Sequence, residues 1–189
     1  MDKQQTKQAF INRGFAASRF DGDRFDLSGE VIYNSMLEEG MDLSGADLRG
    51  VDLTSMTASG VNFEGADFTG ADIRFMTLAD CNLKDAIGLP DAPVVENIDA
   101  AILSIIDSGK GKLDMNVWHD PYCETTHCRA GWAVTLAGPA GRKLEERYGV
   151  PTAGALIYNT SRPGTPIPNW FVTDREAIAD MEMYASKGK

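Results

Sequence analysis

Several things are scarce in this chain of 189 residues, and each scarcity excludes something. Cysteine occurs only as Cys81, Cys123 and Cys128, an odd and thin set that does not make a secreted disulfide scaffold. Aromatics are 8% of the residues, so a core has to be built mostly from aliphatic side chains. No apolar run approaches the roughly 20 residues that a membrane helix needs, so no membrane span is expected. The opening "MDKQQTKQAFINRGF" lacks an apolar leader region, which makes a cytoplasmic location the expectation. Basic residues are scarcest between Asp21 and Asp85, where Arg24, Arg49, Arg74 and Lys84 face fourteen acids. That segment alone carries −10, the net charge of the whole chain, while the residues before it carry +3 and those after it −3. A local acid excess of this kind bears on partners rather than on folding.

What the acidic segment does have is a period. From Met41 to Asp85 it divides into nine fives: MDLSG, ADLRG, VDLTS, MTASG, VNFEG, ADFTG, ADIRF, MTLAD and CNLKD. Five is the period neither of an α-helix nor of a flat strand. The third positions are apolar throughout (Leu43, Leu48, Leu53, Ala58, Phe63, Phe68, Ile73, Leu78, Leu83) and the first positions are small or apolar. The other three are mainly polar or glycine. A chain that turns a corner every five residues satisfies this pattern, because first and third positions then point to a common axis. Four fives make one coil, and successive coils stack about 4.8 Å apart through their backbones. Glycine at fifth positions suits the corner. Upstream the spacing continues loosely through "FDLSG", "EVIYN" and "SMLEE", with Gly40 as one extra residue, and Phe10, Phe15, Phe20 and Phe25 extend it back towards residue 10.

These fives resemble the pentapeptide-repeat family, whose pattern is A-(D/N)-L-x-x. The resemblance implies a right-handed quadrilateral parallel β-helix over residues 25–87. Residues 1–24 are then an N-terminal cap or an irregular first coil. Some members of that family mimic DNA and bind type II topoisomerases such as gyrase, usually as dimers joined end to end. Homodimerisation is therefore among the expectations here.

The acid sits at defined places on the rod. Stacking puts Asp47 beside Asp67 and Asp52 beside Asp72, and with Asp42 and Glu64 these form a candidate partner-binding surface. One reading is that Asp simply suits the turn, by accepting hydrogen bonds from nearby amides. The other is that a rigid acidic rod occupies a groove built for the phosphates of a duplex. Three to four coils span only roughly 14–19 Å, against the 34–36 Å of one DNA turn. That length weakens the analogy with topoisomerase binders, and a shorter footprint still suits the duplex-entry groove of a nuclease or CRISPR-type complex.

The repeat stops at "GLPDAP", and residues 88–94 read as a linker. Residues 95–189 read as a small, mainly α-helical domain. Five helical stretches are expected: "ENIDAAILSIIDSG" with Asn97 as cap, "THCRAGWAVTLAG", "PAGRKLEERYG", "PTAGALIYNTS", and "TDREAIADMEMYASKG" opened by the capping box Thr173 and Glu176. The string "CETTHCRAGWAVTLAG" with "ALIY" and "EAIADM" is similar to an uncharacterised domain of phage and bacterial proteins, which implies a phage or mobile-element setting but no activity.

One cluster in this half has chemical potential: His119, Cys123, His127 and Cys128. As a zinc site its spacing fits no standard finger. As a thiol site, Thr126 would cap the helix and place Cys128 in the first turn, where the dipole lowers a thiol pKa, with His119 as base. No third, orienting residue can be named. The expectation is therefore a non-enzymatic protein without catalytic residues, metal or cofactor. It would inhibit a protein partner through that partner's basic DNA- or RNA-binding groove, with no direct contact to nucleic acid. The rival reading is a Cys/His thiol or zinc enzyme with the rod as scaffold.

Overall fold

The computed structural model describes residues 1–33, 36–119 and 125–187. The chain divides into two units, residues 1–90 with 164–167, and residues 91–163 with 168–189.

The first unit is a solenoid whose coils stack in parallel. Asp42 pairs with Asn62 and Asn62 with Asn82; Asp47 pairs with Asp67 and Asp67 with Ile87; Asp52 pairs with Asp72. All of these partners are twenty residues apart. On the remaining side of the coil the pairing lengthens into two short strands, β1 (Thr57–Ser59) and β2 (Thr77–Ala79), in register Thr57 to Thr77. The expected β-helix thus has few continuous strands, because each side offers only about three extended residues before the next corner. The ladder is nonetheless regular: Leu43 N donates to Asn62 O at 2.8 Å, and Asn62 N to Met41 O at 2.9 Å. The first coil is one residue longer, since Asp26 pairs with Asp47 and Val31 with Asp52. Gly40 is the extra residue, absorbed at a φ of 72°.

The inside of the coil follows from the sequence period. Met41, Leu43, Val51, Ala58, Val61, Phe63 and Met76 are fully buried, and Phe63 and Phe68 meet edge to face at 5.4 Å between ring centroids. A large side chain buried this way stabilises the fold by about 1.5–3 kcal/mol. At the Asp and Asn corners the second residue accepts a hydrogen bond from the amide two positions on, and from Gly45 to Asp85 the fifth residue of each five takes a left-handed φ. Glycine adopts that φ without strain, and Ser55, Phe75, Asp80 and Asp85 adopt it too, at 57–59°.

Residues 1–24 do not form a coil. Their first part is a helix, α1 (Lys3–Asn12), started by a capping box in which Asp2 and Gln5 bond each other's backbone. A 3₁₀ turn follows at Ala17–Phe20. Phe10, Phe20 and Phe25, spaced like the repeat, instead make an aromatic cluster with centroids 5.2–6.1 Å apart. This segment closes one end of the solenoid. Thr6 Oγ1 accepts from Asp42 N, and Arg19 O accepts from Asp26 N, where a preceding coil would otherwise bond. At the other end Ile167, in the segment 164–167 that folds with this unit, donates to Cys81 O at 2.8 Å. Cys81 O is the acceptor that a further coil would use.

The second unit is mainly helical: α2 (Ile98–Asp107), α3 (Arg129–Leu136), α4 (Gly138–Tyr148), α5 (Val150–Ser161) and α6 (Asp174–Lys187). α3 packs on α4 and α5, and α2 on α6. The α3–α5 crossing is close because Gly154 has no side chain, and a Cβ there would come within 2.6 Å of Ala130 Cβ. Thr173 and Glu176 form the expected capping box at α6. Asn97 does not cap α2 as expected, for its side chain makes no capping bond and its backbone is left-handed. A two-residue parallel pair joins β3 (Lys112–Leu113) to β4 (Thr126–His127). No described helix is long and apolar enough to cross a membrane.

Candidate functional site

The acidic wall is built by the corners. Asp42, Asp47, Asp52, Asp67 and Asp72 are all second-position residues, and Oδ1 of each accepts from the backbone amide of Ser44, Arg49, Thr54, Thr69 and Arg74 respectively, at 2.9–3.2 Å. This bond fixes the carboxylates. Asp52 and Asp67 are held below the usual carboxylate range first by the side chains of Thr54 and Thr69 and then by the amides of the same residues. For Asp42 the desolvation of its position is outweighed by bonds from Ser44 and Asn62.

The stacking brings Asp47 to Asp67 and Asp52 to Asp72, but the wall is less anionic than the spacing of aspartates suggests. Arg49 lies across Asp47 as a fork, Nε to Oδ1 at 2.8 Å and Nη2 to Oδ2 at 2.6 Å, and its Nε is 3.9 Å from Asp67. Arg74 holds Asp72 in the same way, at 2.9 and 2.5 Å. Lys84 reaches Glu64 at 2.7 Å from the coil below. These cations are the chief reason that the pKa values of Asp47, Asp72 and Glu64 are lowered. Three paired cations against six carboxylates leave −3 on the wall at neutral pH. Asp42, Asp52 and Asp67 keep no close cation fork, whereas Asp47, Asp72 and Glu64 are screened. The sides also differ. Asp42, Asn62 and Asn82 make an amide ladder, with Asn62 Nδ2 donating to Asp42 and Asn82 Nδ2 to Asn62, and Thr57 and Thr77 form a neutral side.

The Cys/His cluster is arranged differently from the thiol reading. Cys123 lies outside the described residues. Thr126 and His127 are drawn into β4, so Thr126 does not cap α3. Cys128 is itself the cap, its Sγ accepting from Gly131 N at 3.4 Å. Burial pushes the Cys128 thiol up to about 11, the opposite of activation. His119 and His127 meet at 2.7 Å between their Nδ1 atoms, and His119 Nε2 stands 3.2 Å from Glu145 Oε1. Among the described residues no group of three or more His, Cys, Asp or Glu is gathered as a metal site.

A buried charge network in the helical unit escaped the sequence reading. Arg129 donates through Nε to Tyr158 Oη (2.8 Å), through Nη1 to Asp180 (2.6 Å) and through Nη2 to Asp99 (2.6 Å). Tyr158 also donates to Asp99, and Arg162 closes the ring on Asp99 Oδ2 at 3.0 Å while stacking on Tyr184. Arg129 is 1% exposed. Burial alone would lower its pKa, but Tyr158, Asp99 and Asp180 outweigh this and it ends raised. The available signal was opposite charges on core-facing positions, Asp99 with Ile98 and Ile102 in α2, and Arg129 opening a helix of small and apolar residues.

No curated protein matches the chain. The scan against family models gives a match confined to the solenoid: residues 46–85 are pentapeptide repeats, present in eight copies.

Proposed function

We propose that this is a non-enzymatic interaction protein whose solenoid, read as the right-handed quadrilateral β-helix of pentapeptide repeats, docks into the basic nucleic-acid-binding groove of a partner protein. In that role it inhibits the partner by standing in for DNA. The observation that carries this reading is the uniform corner bond. Five carboxylates are oriented by the backbone before any partner arrives, so little side-chain entropy is lost on docking. Asp52 and Asp67, without a fork of their own, are the primary contacts. Asp47, Asp72 and Glu64 exchange Arg49, Arg74 and Lys84 for the partner's cations. Exposed ion pairs of this kind contribute little, so the exchange is inexpensive. The buried Cys128 thiol, raised by burial, favours this reading over a thiol enzyme.

The test is competition. A type II topoisomerase and a DNA nuclease are each loaded with labelled duplex and titrated with the purified chain at about 50 and 200 mM salt. Displacement that weakens steeply with salt, and is lost in the combined Asp52→Asn and Asp67→Asn variant, is the expected result. Displacement indifferent to salt or to that variant refutes the mimicry, and displacement of neither duplex removes both named target classes.

A further inference from the structure

We propose that one corner of the solenoid, the one carrying Tyr33 and Phe75, is the contact for an arginine-bearing extended segment of a partner protein. Residues 25–87 hold five aromatic side chains. Phe25, Phe63 and Phe68 are buried in the core, whereas Tyr33 is 61% exposed and Phe75 53%. The two exposed rings share one corner. Val31 pairs with Asp52 and Asp52 with Asp72; Tyr33 lies two residues past the first of these and Phe75 three past the last. Ser55 N donates to Arg74 O at 2.8 Å, which joins this corner from one coil to the next. Two coil steps of about 4.8 Å separate the two residues, roughly 10 Å along the axis. The coil between them has only Thr54 and Ser55 at that corner, which leaves a saddle of small side chains between two rings. Val31, itself exposed, extends the apolar surface beside Tyr33.

The fold does not ask for Phe75. Its φ is 59°, a left-handed conformation that a bulky residue adopts only under strain and that Gly60, Gly65 and Gly70 occupy in neighbouring fives. With more than half of the residue in water, packing offsets little of that strain. A strained residue that holds its ring in solvent points to a contact made outside the chain. The charges on the same wall select the occupant. Asp52, two residues before Thr54 and bonded to its amide, has no cation fork of its own, while Asp72 is held by Arg74. Exposed rings also stack on nucleobases, but carboxylates on this wall repel the phosphates that come with them. A guanidinium suits both features, for its flat face lies on an aromatic ring while its N–H groups reach a carboxylate. In polyproline II geometry every third side chain falls on one side, about 9 Å from the next, close to the separation of Tyr33 and Phe75. The role assigned to this corner rests on the docking reading above and adds to it a wall and a preference for arginine over lysine.

The experiment uses the full chain and two labelled nonapeptides, three repeats of Arg-Pro-Pro or of Lys-Pro-Pro, titrated by fluorescence anisotropy at low salt. Saturable binding of the arginine peptide, about three- to tenfold tighter than that of the lysine peptide, is expected. Phe75→Gly should weaken it about three- to tenfold and also raise the melting temperature, since glycine takes the left-handed φ without strain. Phe75→Tyr keeps a ring and should keep the affinity, whereas Asp52→Asn should lower it. Equal binding of the two peptides, undiminished binding by Phe75→Gly, a lower melting temperature of that variant, or tighter binding of an oligothymidylate than of the arginine peptide would each overturn the proposal. The docking reading fails separately. Arginine-selective binding that Phe75→Gly weakens, with neither duplex displaced by the native chain, upholds this corner without the mimicry. Duplex displacement lost with Asp52→Asn and Asp67→Asn but intact in Phe75→Gly, with no arginine peptide bound, upholds the mimicry and removes this corner.

Discussion

Replacing Arg129 by methionine tests the buried network of the helical unit. The substitution keeps much of the side-chain volume but removes three hydrogen bonds, to Tyr158, Asp99 and Asp180, and leaves Asp99, itself 3% exposed, with a single guanidinium, that of Arg162. Breaking a buried ion pair from one side costs about 3–5 kcal/mol, since the remaining charge loses its compensation without regaining water. The chain supplies its own probe. Trp118, Trp132 and Trp170 all lie in the helical unit, and the last two are buried, so tryptophan fluorescence follows that unit's unfolding and not the solenoid's. With a urea slope of about 1.5–2 kcal/mol per molar, the midpoint should fall by roughly 1.5–3 M. Adding Asp99→Leu to Arg129→Met should cost less than the sum of the two single changes, because the second removes the charge that the first stranded. A loss under about 1 kcal/mol for Arg129→Met, or strict additivity in the double variant, would show that the network is not a desolvated, coupled unit.

Three further outcomes are expected. Asp42→Ala removes the bonds that Asp42 Oδ1 accepts from Ser44 N (3.0 Å) and Asn62 Nδ2 (3.1 Å) and should cost the solenoid about 1–2 kcal/mol, whereas Asp42→Asn keeps the corner bond and costs less; circular dichroism melts compare them. Asp26 is held down to about 2, first by the Ser28 hydroxyl and amide and also by Arg24. Its folded pKa lies below the usual 3.8, so its stabilisation is complete above about pH 4 and lost as pH falls towards 2. Melting curves of the native chain and Asp26→Asn should therefore diverge above pH 4 and converge near pH 2. In a Cys123→Ser background, a thiol reagent at pH 8 should label neither Cys81, pushed up to about 12 by burial, nor Cys128 until denaturant is added.

The solenoid was legible because most positions in the fives answer to one demand: an Asx side chain for the corner amide (Thr57 and Thr77 excepted), a left-handed fifth residue, and apolar first and third residues for the axis. Even the register slip could be seen, as Gly40. The screening of the wall could have been read as well, for "DLR" and "DIR" place Arg49 and Arg74 two residues after Asp47 and Asp72, and the corner folds those side chains together. The N-terminal segment misled for a physical reason. Four phenylalanines at intervals of five imitate the repeat, while the Asp2–Gln5 capping box starts a helix and turns Phe10, Phe20 and Phe25 into a plug. Around Cys128 the failure was non-local. β3 pairs Lys112 with Thr126, and nothing within "ETTHCRAGW" signals that a strand thirteen or more residues upstream will claim Thr126 and His127 and pass the cap to the sulfur. The Arg129 network is likewise assembled from α2, α3, α5 and α6 with Arg162, separations no local pattern spans.

The plugs on the solenoid make its height a quantity that can be edited without touching either terminus. Since the repeat unit is a whole turn of twenty residues, duplicating Val61–Asp80 in place would present each plug with the same ladder atoms it meets now. The tower would grow by one storey of about 4.8 Å and gain the charges of Glu64, Asp67, Asp72, Arg74 and Asp80 once more. Graded duplication would turn this protein into a ruler, a series of rods of stepped height and charge with which the depth of a binding cleft can be gauged.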